Sequence, residues 1–197
     1  MTDADADGEP EGETYRSRLE AKRHEKDVFF TEHPQSPIPP DERDDFGGLT
    51  YFPPDPAYRV TATVDLAADP EAEPVLMETT AGREMHYLRV ATLSFALERA
   101  DPDLADGTYE LAAYSQTPET TTLFVPFRDK TTGQQTYRGG RYMELEVPHE
   151  LATGDELTLD FNLAYSPFCA YSETFDCPLP PEENWLEVAI AAGEKAP

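Results

Sequence analysis

The sequence predicts a mainly β protein: an antiparallel β-barrel or β-sandwich with an N-terminal helix and a long loop rich in proline and aromatic residues near the C-terminus. Three observations predict this class. Short segments alternate apolar with polar residues, turn sequences such as Asp106-Gly107 separate them, and helical patterning is confined to one stretch. We expect a disordered acidic tail over residues 1–13 and a single β-rich domain over residues 14–197.

The helical stretch runs from about residue 15 to residue 30. Thr14 can cap its N-terminus, and Tyr15, Leu19 and Val28 give it a partial apolar stripe. More cations lie here than anywhere else in the chain. We interpret them chiefly as a solvated face, with the alternative that one or two Arg or Lys side chains reach a site.

Residues 33–55 contain six prolines, which prevent a regular helix or a central strand. Ile38, Phe46 and Tyr51 are apolar enough to hold this segment on a core. We therefore predict an extended wrap over the domain.

Strand patterns fill most of the remaining chain. Residues 58–65 alternate most cleanly, whereas residues 86–95 change parity, which predicts a β-bulge near Ala91 and Thr92. The predicted strands are residues 58–65, 86–95, 109–114, 121–127, 141–147, 157–161 and 186–190.

The charge of the chain restricts its partners. The formal net charge is −25, with 40 Asp and Glu against 15 Lys and Arg. Such a surface repels phosphates, so we expect neither nucleic acid nor an anionic membrane as a partner. An acidic chain with only four lysines is typical of cytosolic proteins of salt-in halophiles, and we favour this interpretation over an ordinary acidic mesophile protein.

No apolar stretch approaches the roughly 20 residues that span a bilayer. The first residues show neither a basic segment nor an apolar segment of the kind that a secretory signal needs. We therefore expect a cytoplasmic protein. The oligomeric state is not predicted.

The loop over residues 160–184 contains both cysteines, Cys169 and Cys177. Its prolines and aromatic residues predict an ordered loop that closes over a pocket near Arg128 and Arg141. Three states of the cysteine pair stay open: reduced structural thiols, a disulfide, or a thiolate metal site with two further ligands. Reduced thiols are the favoured state in a cytosol, and the predicted site residues include no metal ligand.

Strand parity singles out Arg141, which shares a face with Met143 and Leu145 and so points toward the core. Arg128 and Asp129 follow a buried strand at its end, where sites usually lie. Two interpretations remain: a structural Arg–Asp pair that fixes loops, or a clamp for a carboxylate or phosphate. The candidate ligand-binding residues are Arg128, Asp129, Arg141, Asp160, Asn162, Tyr165, Tyr171 and Asn184.

Two functions of different class follow. The first is a binding module in which Arg128, Arg141 and Tyr165 or Tyr171 orient a small polar or anionic ligand. The alternative is a hydrolytic or acid–base enzyme, with Asp129 or Asp160 as the base and an arginine as the anion stabiliser. The sequence lacks common nucleotide-binding and catalytic motifs, and its four histidines lack metal-ligand spacing, so the cofactor is unknown.

Several long motifs resemble one known family. They are YFPPDPAYR at 51–59, LFVPFRDKTTG at 123–133, TYRGGRYMEL at 136–145, and the cysteine-containing stretch DFN…CPLPP. In this order they are similar to the uncharacterised archaeal and bacterial family catalogued as domain of unknown function 1684. The acidic composition indicates a haloarchaeal type of member. The resemblance implies a one-domain protein and carries no assigned activity, and Arg138, Ser166 and Phe168 depart from the family pattern.

Overall fold

The computed structural model describes residues 11–69, 74–97, 107–117, 121–147 and 150–197. Its helix α1 spans Glu11–Glu32 and begins earlier than the predicted start near residue 15. The predicted acidic tail lies outside the described residues, apart from residues 11–13, which belong to α1; Asp106 of the predicted turn also lies outside them. In the described part of the chain, no helix combines the length and apolarity that crossing a membrane requires.

Seven strands follow α1. They are β1 Arg59–Leu66, β2 Val75–Glu78, β3 Glu84–Ala96, β4 Thr108–Ser115, β5 Thr122–Phe127, β6 Arg141–Glu146 and β7 Glu156–Asp160. All their pairings are antiparallel, in the order β6-β5-β4-β3-β1-β7, and β2 pairs separately with β3. The predicted mainly β class is confirmed, and the sheet forms a nearly closed barrel.

The barrel is incompletely closed between its two edge strands, β6 and β7. Tyr142 on β6 and Tyr165 beyond β7 exchange backbone hydrogen bonds of 2.9 and 3.0 Å, which joins the edges at one end. Between Tyr165 and β7 the chain turns into a 3-10 helix, Phe161–Leu163, and this turn interrupts the extended backbone that a ladder needs. The opening left between the two strands is called the seam below.

Apolar side chains fill the barrel interior, as the alternation of the strands predicts. Val64, Leu93, Leu111 and Leu123 are completely buried there. Each fully buried aliphatic or aromatic side chain stabilises the fold by about 1.5–3 kcal/mol relative to exposure. The interior therefore provides a rigid scaffold for the residues at the seam.

The sheet confirms one detail of the strand predictions and corrects another. The predicted bulge is confirmed by a register shift between Arg89 and Ala91. The strand predicted over residues 186–190 is wrong, although Leu186, Val188 and Ile190 do turn inward. This segment runs beside residues 128–130, where the neighbouring chain enters turns and offers no continuous ladder.

The long loop packs against the outside of the barrel and against α1. The Phe30 ring of α1 contacts Phe168 and Tyr171, with centroid separations of 5.9 and 4.9 Å. Further along the loop, Thr79 beside β2 forms a backbone bridge with Pro178. These contacts bring α1, the seam and the loop to one side of the molecule.

Candidate functional site

A cleft of about 620 Å³ occupies the seam. Its polar lining consists chiefly of Lys22, Arg59, Glu144, Glu146, Asp160 and Tyr165. Apolar side chains of β6 and β7, among them Met143 and Leu157, complete the walls. We call this space the seam cleft. It combines apolar walls with charges of both signs, which suits a small polar molecule.

A smaller cavity of about 120 Å³ adjoins the seam cleft beneath α1. The two spaces share Lys22, Leu163 and Tyr165 in their walls. Arg23 and Glu194 also line the smaller space, which we call the inner cavity. One molecule can therefore extend from the seam into the space under the helix.

Asp160 ends β7 at the margin of the seam cleft. Tyr15 of α1 donates its hydroxyl to this carboxylate, at 2.9 Å from both oxygens, and the Arg59 Nε lies 3.8 Å away. Burial raises the pKa of Tyr15 above its ordinary value, and the negative charge of Asp160 raises it further, so Tyr15 stays a donor. Asp160 is thus held in place by the helix.

Asn162 anchors the proline-rich wrap at the same end of the barrel. Its side-chain oxygen accepts the Asp55 N–H at 2.9 Å, and its amide donates to the Asp55 carbonyl at 2.8 Å. The Asn162 amide also donates to Asp160 at 3.1 Å. These bonds occupy the polar atoms of Asn162, so its role in the site is to position the chain.

Tyr165 lies where the cavities meet. Its hydroxyl donates to Glu144 at 2.9 Å, and the Lys26 Nζ lies 4.7 Å from the centre of its ring. Burial and the nearby Glu144 charge raise the pKa of Tyr165 above its ordinary value. Tyr165 also lines a third, aromatic-walled hollow of about 440 Å³ on the outer face of the sheet.

Glu194 is a buried carboxylate in the wall of the inner cavity, with 1% of its surface exposed. It accepts hydrogen bonds from the Ser166 N–H at 2.8 Å and the Tyr171 hydroxyl at 3.2 Å, and it forms an ion pair with Lys26. Burial and the charge of Glu194 raise the pKa of Tyr171, so this hydroxyl also stays protonated. Sequence reasoning missed Glu194, because nothing in its neighbourhood distinguishes it from the many surface acids.

Arg23 projects from α1 into the inner cavity. One guanidinium nitrogen, Nη1, donates to the Phe52 carbonyl at 3.1 Å, and the group stacks 4.3 Å above the Tyr51 ring. Burial lowers the pKa of Arg23 from its ordinary value. Lys22, Arg23 and Lys26 of α1 all line the inner cavity. The alternative that one or two helix cations reach a site stays a prediction.

The family model described as "Protein of unknown function (DUF1684)" matches residues 44–195. This chain belongs to that family. The solution NMR structure of an uncharacterised protein from Haloarcula marismortui is similar to this chain, with 61% sequence identity and a TM-score of 0.70. That match covers 93% of this chain and 95% of the other. A comparison with curated proteins gives no match.

Arg141 and Asp129 form a sealed ion pair in this DUF1684 chain, apart from both cavities described above. Arg141 Nη2 lies 2.7 Å from Asp129 Oδ2, and both side chains are completely buried. Arg141 also donates to the carbonyl groups of Ile190, Ala192 and Glu194. Asp129 and these carbonyl groups occupy both terminal nitrogens of the buried Arg141, so the geometry is that of the structural pair considered from sequence.

Arg128 and Asn184 also lie away from the seam cleft. Arg128 stacks over the Trp185 ring at 4.9 Å. Asn184 is completely buried and bridges β4 and β5: it accepts the Ala112 N–H at 2.7 Å and donates to the Ala112 and Pro126 carbonyls at 2.9 and 2.7 Å. Its side chain thereby replaces backbone pairing where these two strands separate.

Cys169 and Cys177 are half-buried free thiols within hydrogen-bonding reach of each other. The hydrogen bond from Cys177 lowers the pKa of Cys169 to about 7, and a further bond from Tyr137 acts in the same direction. The pKa of Cys177 is correspondingly raised. Among the described residues, no group of three or more His, Cys, Asp or Glu is arranged to hold a metal ion.

Of the eight residues proposed as ligand-binding, the structure gathers four around the seam and α1: Asp160, Asn162, Tyr165 and Tyr171. The other four lie at or beneath the segment that follows the long loop. The strand alternation correctly predicted that the Arg141 side chain points inward. At this end of the barrel, however, its partners are carbonyl groups of the protein itself.

Proposed function

We propose that this member of the DUF1684 family is a binding module for a small polar molecule with an acidic group, which occupies the seam cleft. The observation that carries the proposal is the opening between β6 and β7, where a barrel edge leaves about 620 Å³ of space with charged groups at its walls. Ligand sites are commonly concave spaces of this size with a few convergent polar groups.

Charge supports an acidic ligand. Lys22 and Arg59 face the seam cleft, and Arg23 and Lys26 line the inner cavity. These are four of only 15 Lys and Arg in a chain with a net charge of −25. The same two spaces are lined by four carboxylates, Glu144, Glu146, Asp160 and Glu194, so positive and negative charges balance there. An anion therefore meets less repulsion in these spaces than over the rest of this acidic surface.

The acidic side chains of the seam cleft support a second polar group on the ligand, one that donates hydrogen bonds. Glu144 and Glu146 project from β6 on the opposite side of the cleft from Arg59. Glu144 is positioned by the Tyr165 hydroxyl. A molecule with a carboxylate and a hydroxyl or ammonium group would find complementary partners on both walls.

The enzyme alternative is less well supported by the same geometry. A general base needs a free oxygen within reach of the proton that it removes. Asp129 is sealed against Arg141, and both oxygens of Asp160 accept the Tyr15 hydroxyl. Asp160 therefore resembles a positioning group more than a base, and binding is the function that we favour.

Nuclear magnetic resonance with a mixture of small hydroxy acids and amino acids tests the proposal. We expect amide shift changes at Arg59, Glu144 and Tyr165 on binding, and a weaker affinity in Arg59→Gln. Arg83→Gln is the matched control, since Arg83 is an exposed cation paired with Asp176 outside the cleft. Unchanged spectra with the whole mixture, or equal losses in both variants, would count against a ligand site in the seam.

A further inference from the structure

Two residues that line the inner cavity, Arg23 and Tyr51, carry buried donor atoms without partners among the described residues. Arg23 Nε and Nη2 and the Tyr51 hydroxyl are buried, and none of them has a hydrogen-bond partner among the described residues. Leaving such groups unpaired away from water costs about 1–3 kcal/mol each, and more for a charged group. Three such atoms on two residues that line one cavity indicate a site for an acceptor.

The orientation of Arg23 is fixed before any ligand arrives. Its Nη1 donates to the Phe52 carbonyl, and its guanidinium group lies over the Tyr51 ring. The free Nε and Nη2 atoms form one side of the guanidinium fork, which matches the two oxygens of a carboxylate. The Tyr51 hydroxyl belongs to the ring on which the guanidinium stacks.

The local charge favours an anion over water alone. Lys22, Arg23 and Lys26 line the inner cavity together with a single carboxylate, Glu194. The Glu194 oxygens are already engaged by Lys26, by Tyr171 and by a backbone N–H. Glu194 is therefore paired with Lys26, whereas Arg23 forms no ion pair with a described residue, and the charges of Glu20 and Glu194 act on it only at longer range.

The size of the inner cavity restricts the bound group. Its volume of about 120 Å³ is far smaller than the 620 Å³ of the seam cleft. This space holds a carboxylate and a short carbon stem, and the remainder of a larger molecule would extend past Leu163 and Tyr165 into the seam cleft.

We propose that Arg23 and Tyr51 form the recognition site for the carboxylate of the ligand, with Arg23 Nε and Nη2 each donating to one oxygen. This inference rests on the proposed function, because it assigns the acidic group of the seam ligand to the inner cavity. Arg23 is then the residue that selects a planar, singly charged carboxylate over a spherical halide ion.

Acetate is the probe for this site, and the Arg23 Nε–H resonance is the readout. Potassium acetate replaces potassium chloride stepwise at constant ionic strength, so that general salt effects cancel. We expect a saturable shift of the Arg23 signal. Arg23→Lys keeps the charge and loses the fork, and it should weaken acetate binding about tenfold, as judged from amide shifts around the cavity. Arg18→Lys, an exposed substitution on the same helix, should leave binding unchanged.

Three outcomes would overturn the inference: no saturable shift, the same shift when potassium bromide replaces chloride, or equal acetate affinity in Arg23→Lys and wild type. A longer hydroxy or amino acid separates this failure from failure of the proposed function. Shifts confined to Arg59 and Glu144, insensitive to Arg23→Lys, would refute the carboxylate site and leave the seam cleft as the binding site. Absence of binding by every acid tested would refute both.

Discussion

Replacing Arg141 with methionine should cost this protein about 3–5 kcal/mol of unfolding free energy, the usual cost of removing one partner from a buried ion pair. Methionine keeps the length of the side chain and fills most of its volume, so cavity formation contributes little. The main cost is the Asp129 carboxylate, which stays buried without a counter-charge. Carbonyl groups of Ile190, Ala192 and Glu194 lose their donor as well. Since domains are usually stable by about 5–15 kcal/mol, the loss is a large fraction of the total.

A second substitution separates the charge from the packing. Asp129→Asn removes the buried charge, while its side-chain oxygen can still accept the Thr131 N–H, which lies 2.6 Å from Asp129 Oδ1. The double variant with Arg141→Met should therefore be more stable than Arg141→Met alone. Contacting pairs of this kind show coupling energies of about 0.5–3 kcal/mol.

Urea unfolding followed by circular dichroism, at one fixed potassium chloride concentration, measures these differences. Arg138→Met makes the same chemical change at an exposed position and should stay within about 0.5 kcal/mol of wild type. A loss in Arg141→Met no larger than in Arg138→Met would refute the structural role of the pair. Retained stability together with loss of ligand binding would restore the clamp interpretation.

Lowering the salt from the molar range should reduce the melting temperature and alter the near-ultraviolet circular dichroism, because the net charge of −25 is then unscreened; a melting temperature independent of salt would contradict the halophilic interpretation. Iodoacetamide should alkylate Cys169 well before Cys177. The rate should rise with pH around a midpoint near 7, because the thiolate is the reactive form and the pKa of Cys169 is lowered to about 7; peptide mass spectrometry that finds equal labelling would refute this. Gly193→Ala should destabilise by about 1–3 kcal/mol more than Gly82→Ala, since both have positive φ but only at Gly193 would the new methyl lie within 2.5–2.7 Å of backbone oxygens; equal costs in thermal unfolding would show that φ alone matters. Asn184→Ala should cost about 3 kcal/mol in urea unfolding by leaving buried backbone groups of two strands unpaired, whereas a cost below about 1 kcal/mol would mean that water replaces the amide.

The strand pattern predicted most of the barrel because alternation reports directly on burial. The one described strand that it missed, Val75–Glu78, is four residues long and leaves Leu76 half exposed, so it carries almost no pattern. The segment over residues 186–190 shows the opposite case. Its apolar residues alternate and are buried, but a strand also requires a neighbouring backbone that stays extended, and the chain beside it enters turns near residue 130, which periodicity does not report.

The candidate site was less predictable for a related reason. The helix contains many cations whose neighbours in the sequence are similar. Only the fold shows that Arg23 lines the inner cavity while Arg18 is exposed to water. For Arg141, parity gave the direction of the side chain correctly. Its partners are carbonyl groups 49 to 53 residues further along the chain, and no local pattern encodes contacts at that separation.

The segment from residue 184 to residue 196 has a consequence for the order of folding. Neighbouring strands such as β3 and β4 can pair early, because hairpins require little loop closure. The barrel end stays open until this segment arrives, since Asn184 joins β4 to β5 and the carbonyl groups near Ile190 surround Arg141. Before that moment the buried ion pair is exposed to water. Docking of this segment thus seals the barrel end, and because it closes contacts of long sequence separation we expect it to follow strand pairing during folding.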